Sequence, residues 1–134
     1  MDIDLYFTRE DDRISAINDL IKMDGQILNE SKFVTKLAYN RMIYDFSKLI
    51  GQSERYTISK FDFTINQAVI NKDALFIHPE FFVHNTMKRL SLNPEYQLNE
   101  FTTYDILMSR FQKFVKKGYT MPQAEIGNFQ KLLQ

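Results

Sequence analysis

Residues 31–51 read SKFVTKLAYNRMIYDFSKLIG, and the reading of this stretch decides the fold. Phe33, Leu37, Ile43, Phe46, Leu49 and Ile50 spread over a wide arc when the segment is wound as a helix, and Gly51 follows the last of them. The stretch therefore predicts a long central helix touched on several sides. Everything around it is then read as helix packed on helix.

Towards the N-terminus, Ile14, Ile17, Leu20 and Ile21 recur at helical spacing after Thr8 and stop at Gly25, which predicts a first helix. Towards the C-terminus, TISKFDFTINQAVINK (57–72) reads two ways: Phe61, Phe63 and Ile65 alternate like a strand, whereas Phe61, Ile65, Ala68 and Val69 follow a helix. A capping box from Ser59 to Asp62 favours helix, because a side-chain oxygen there satisfies a free backbone N–H. Similar boxes start at Thr8 (to Asp11), Thr102 (to Asp105) and Thr120 (to Gln123).

ALFIH (74–78) reads as extended, and Pro79 suits the first turn of a helix running to Asn93-Pro94. Ile3, Leu5 and Phe7 alternate, so a minor two-strand pairing of residues 2–7 with 74–78 is expected. A helix from Thr102 carries Leu107, Phe111, Phe114 and Val115 on one face and ends at Gly118, and a last helix carries Ile126, Phe129 and Leu133. The predicted fold is mainly α: one compact bundle-like domain over 1–134, with five to six helices.

Composition narrows location and class. The 134 residues include no cysteine, so there is no disulfide framework and no thiolate metal site. No apolar run approaches spanning length and the N-terminus is acidic, so a soluble, cytoplasmic protein without membrane attachment is expected. Phe, Tyr, Met, Ile, Asn and Lys make up 58 residues, all served by A/T-rich codons, which fits a low-GC genome and a phage or mobile-element source. Net charge is zero, yet it alternates along the chain: −5 over 1–31, +4 over 32–72, −3 over 73–109 and +4 over 110–134. Neighbouring segments attract, and the C-terminal one offers a basic surface.

Catalytic and metal motifs are absent from the pattern. His78 and His84 flank Glu80 but stand six apart, off any shared helix face, so no metal or other cofactor is expected. Glu10, Asp11 and Asp12 fall in a helix first turn, where the dipole favours carboxylates. No serine partner for a histidine is evident, and the glycines form no phosphate loop. The expectation is a protein without enzymatic activity.

What remains is FQKFVKKGYTMPQAEIGNFQKLLQ (111–134). With Leu107, Phe111 and Phe114 facing a core, Ile106, Arg110, Lys113 and Lys117 form an outward row, and in the next helix Ala124, Gly127, Asn128 and Lys131 lie outside. These eight residues are the predicted partner-binding face, with small side chains that allow close approach. The expected role is a binding or regulatory accessory that docks on another macromolecule, a protein foremost. The alternative is a DNA-binding regulator whose residues 102–134 form a helix-turn-helix, with Arg110, Lys113, Lys116, Lys117 and Lys131 on phosphates and Gln123 or Asn128 reading adenine. Phe114, where a tight helix crossing favours a small residue, argues against it. A self-assembling structural protein is the third reading, and the oligomeric state is left open.

Overall fold

The Ser31–Gly51 stretch is a β-hairpin, so the mainly α, bundle-like expectation is wrong and the chain is mixed α/β. The computed structural model describes residues 2–99 and 102–132. It divides into two compact units, one ending at Ser53 and one beginning at Glu54.

In the first unit β1 (Asp2–Phe7) leads to α1 (Glu10–Lys22), then to β2 (Gln26–Glu30), β3 (Val34–Tyr39) and β4 (Met42–Ile50). The sheet order is β1-β4-β3-β2, with β2, β3 and β4 antiparallel and β1 parallel to β4. Asn40 and Arg41 both take positive φ, 50° and 66°, which is the two-residue turn whose twist matches an antiparallel pair. The pairing Val34↔Ser47 through Tyr39↔Met42 puts each odd residue of β3 opposite an even residue of β4. Thr35 and Leu37 therefore share a face with Phe46 and Tyr44. That switch of parity at the turn breaks a single alternation and leaves a pattern resembling a helix.

Leu37 and Phe46 are fully buried beneath Ile17 of α1, with Leu5, Phe7, Leu20 and Tyr44 packed around them and the Phe7 and Phe46 rings stacked at 5.8 Å. Each such side chain contributes about 1.5–3 kcal/mol by leaving water. The expected pairing of residues 2–7 with 74–78 does not form: β1 pairs with β4, and residues 75–77 pair with residues 68–70. Helix α1 matches its prediction in extent, but its cap position is Arg9, with no side-chain cap, and not Thr8. At its other end Asp24 takes φ 71°, with the Gly25 amide on the Leu20 carbonyl at 2.8 Å and the Asp24 amide on Ile21 at 3.1 Å, a Schellman turn. Gly25 serves close approach: a Cβ there would stand 2.7 Å from the Leu20 oxygen.

The second unit comprises α2 (Glu54–Ser59), a 3-10 turn (Thr64–Asn66), β5 (Ala68–Ile70), β6 (Leu75–Ile77), α3 (Phe81–Met87), α4 (Tyr104–Lys116) and α5 (Gln123–Leu132). Ser59 ends a helix and does not cap one: its hydroxyl donates to the Tyr56 carbonyl. Residues 57–71 thus hold a helix end, a turn and a strand. β6 fulfils the extended reading of 74–78 but pairs with β5. The helix expected to run to Asn93 stops at Met87, where Lys88 takes φ 56° and the Arg89 amide reaches back to His84.

Phe63, Leu90 and Leu107 are fully buried, with Ile65, Tyr96, Met121 and Phe129 completing the core. α4 and α5 stand where expected, Leu107 and Phe129 facing inward, although Val115 is exposed. Leu133, expected on the inner face of the last helix, lies outside the described residues. Gly118 takes φ 94° at the end of α4, with the Tyr119 amide on the Phe114 carbonyl and the two rings edge to face at 5.7 Å.

Candidate functional site

Of the predicted outward row on α4, Arg110 turns inward. Its guanidinium holds both oxygens of Asp62, with Nη2 3.2 Å from Oδ1 and Nε on Oδ2. Asp62 is buried, and its Oδ1 also accepts the amide of Phe63 at 2.8 Å and the side-chain amide of Asn66 at 3.0 Å. A buried carboxylate needs this many donors, so Arg110 is structural in its contacts. Ile106, Lys113, Lys116 and Lys117 are exposed, the Lys117 ammonium lying 5.8 Å over the Phe114 ring. Lys113, Lys116 and Lys117 line a shallow concavity with Ser109 and Gln112. On α5, Gln123, Ala124, Gly127, Asn128 and Lys131 are exposed, and a Cβ at Gly127 would touch nothing.

The link between α4 and α5 is not a free turn. The Thr120 amide donates to the Lys88 carbonyl at 2.8 Å and the Leu90 amide to the Thr120 carbonyl at 2.9 Å, a strand-like bridge to the segment after α3. Phe111 stacks on Phe129 at 4.8 Å, and Phe114 stands edge-on to Phe63. The stacked Phe111 and Phe129 rings thus fill the contact between α4 and α5, where a tight helix crossing favours small side chains.

A histidine partner missed in the sequence is Thr64. Its Oγ1 lies 2.7 Å from His84 Nδ1, while Nε2 lies 3.5 Å from Glu80. The order hydroxyl, imidazole, carboxylate is that of an activated nucleophile. Thr64 is only 3% exposed, so no substrate carbonyl reaches its hydroxyl. Burial lowers the His84 pKa first, and the nearby Arg89 cation lowers it further against the pull of Glu80 and Glu125. Burial and Arg89 both work against a charge on the imidazole. Among the described residues, no group of three His, Cys, Asp or Glu side chains is arranged to hold a metal.

A concavity of about 570 Å³ in the second unit runs beside β6. It touches Leu75, Phe76, Ile77 and His78 in succession, with Arg55, Ile58 and Ser59 of α2 on one wall and Asn93, Pro94 and Glu95 on another. Consecutive strand residues point to opposite faces, so a cleft that meets all four follows the strand edge. Gln67 also lines it: its amide nitrogen donates to the Ile58 carbonyl at 3.0 Å, while its buried Oε1 has no hydrogen-bond partner among the described residues.

Beyond the cleft, the residues from 70 to 87 leave large apolar side chains in water. Ile70 is 75% exposed, Met87 63%, Phe82 56%, and Leu75 and Val83 about half. On the β5–β6 hairpin, Ile70 and Leu75 are cross-strand partners on one face. The sequence signal for this hairpin was Asn71-Lys72-Asp73 between AVI and LFI. The Asn71 side chain accepts the amides of Asp73 and Ala74, both at 2.8 Å, an Asx turn. No helix among the described residues is long and apolar enough to cross a membrane. The sequence matches no protein-family profile, no curated protein and no solved structure at a significant level.

Proposed function

We propose that the protein is a binding accessory without catalytic activity of its own, and that it docks on another protein through the second unit. The observation that carries this reading is the exposure of Ile70, Leu75, Phe82, Val83 and Met87 on the β5–β6 hairpin and α3. Soluble proteins leave single aliphatics in water, but a run of large ones within eighteen residues marks a surface that another molecule covers. The surface predicted from the sequence, Ile106 with Lys113, Lys117, Ala124, Gly127, Asn128 and Lys131, is the secondary contact in this reading, without Arg110. The absence of cysteine supports a cytoplasmic setting, and the A/T-rich composition supports a phage or mobile-element source.

The test is affinity capture from the native host, with and without nuclease, by the wild-type protein and by Val83→Asp/Met87→Asp. Both positions are exposed, so the fold survives the change. A stoichiometric protein that withstands nuclease and disappears with the double variant supports docking. A nucleic acid that elutes with salt, and disappears with Lys113→Ala/Lys116→Ala/Lys117→Ala, replaces it with the DNA-binding reading.

A further inference from the structure

Resting on the protein-docking reading, we propose that the cleft beside β6 takes an extended polypeptide segment of the partner, which adds to the β5–β6 hairpin as a third strand. The ladder fixes which main-chain groups are free. The His78 amide donates to the Gln67 carbonyl at 2.9 Å and the Asn71 amide to the Ala74 carbonyl at 3.0 Å, so 67 with 78 and 71 with 74 are hydrogen-bonded pairs. Antiparallel pairs alternate, which makes Val69 with Phe76 the next bonded pair and turns the N–H and C=O of Leu75 and Ile77 away from β5. Among the described residues nothing takes those four groups. They open onto the cleft.

The occupant follows from that chemistry. Alternating donors and acceptors at strand spacing are matched by an extended backbone, whereas a helix has used its own groups. The cleft is lined by residues of α2 and by Asn93, Pro94 and Glu95 as well as by β6. Arg55 and Glu95 stand in this lining, so a segment carrying both an acidic and a basic side chain is favoured. Leu75 and Ile77 project from the same face of the hairpin as Ile70, available to apolar side chains on the added strand.

The experiment starts from a displayed library of random twelve-residue peptides selected on the full-length protein. Enriched sequences are then synthesised, and hydrogen exchange of the protein amides is read with and without peptide. Strand addition protects the Leu75 and Ile77 amides. It also makes N-methylation of the peptide backbone weaken binding about ten-fold, from the loss of two hydrogen bonds. Ile77→Pro removes the outward N–H without touching the β5 ladder, since proline is tolerated on a strand edge, and weakens binding similarly, whereas Ile77→Val keeps it. Failure to enrich any peptide, or protection confined to α3, overturns the proposal. A native partner that no longer binds Val83→Asp/Met87→Asp but still binds Ile77→Pro leaves docking standing and removes strand addition; a partner kept by both removes docking as well.

Discussion

Arg41 and Gly25 occupy opposite situations on the Ramachandran map. Arg41 holds φ 66° in a two-residue turn where glycine is the favoured occupant, so Arg41→Gly should raise stability by about 0.5–1 kcal/mol in urea denaturation. Gly25 has an ordinary φ but no room, and Gly25→Ala should destabilise by a similar amount or more, because its methyl meets the Leu20 oxygen at 2.7 Å. His84 gives a pH signature. Its folded pKa lies below the ordinary 6.5, so as pH falls through that value the unfolded chain takes up a proton that the folded chain refuses, and stability declines. The folded-state pKa values of Glu10 and Glu30 are lowered by Arg13 and Lys48 respectively, so their contribution disappears only at more acidic pH. Denaturation midpoints followed from about pH 7 to pH 5 should therefore fall for the wild type and stay flatter for His84→Gln.

At the scale of the element, hydrogen bonds between distant segments decide what each helix can do. Arg110 joins α4 to Asp62, 48 residues earlier in the chain. Arg110→Ala should cost about 3 kcal/mol, because it strands a buried carboxylate, and Arg110→Lys should recover little of it without the planar fork. Ile106→Asp, one turn away and exposed, should stay within about 0.5 kcal/mol. That difference explains what the sequence could reveal. Leu107, Phe111 and Phe129 were legible because helical spacing carries their burial, and so were the C-terminal ends of α1 and α4, which glycines follow. Arg110 was not, since its neighbour in space is far along the chain and its spacing matches that of the exposed lysines. The β3–β4 hairpin was hidden for a different reason: its turn residues are Asn-Arg where Asn-Gly would have announced it, and the parity change there imitates a helix. The β6 edge left no trace either, since which amides lack partners follows from register, not from residue type.

Over the whole molecule, only part of the alternating segment charge is consumed at short range. Lys36 lies 2.8 Å from Asp45 and 3.8 Å from Asp2, Lys48 lies 2.6 Å from Glu30, and Arg89 lies 2.9 Å from Glu125. Lys113→Ala/Lys116→Ala/Lys117→Ala should leave thermal stability unchanged and weaken protein capture only slightly, as a secondary contact of exposed charges would. If nucleic acid is bound at all, the slope of log affinity against log salt should fall by about 0.9 for each phosphate that a removed lysine had neutralised. The parallel seat of β1 beside β4 governs how the first unit emerges from the ribosome. The strand made first waits for the strand made last in its sheet, so the β1–β4 ladder cannot close until Ile50 has been synthesised. Asp2 precedes Ile3 and Asp4 separates it from Leu5, so during that interval the two carboxylates should discourage pairing of this strand with a second nascent chain.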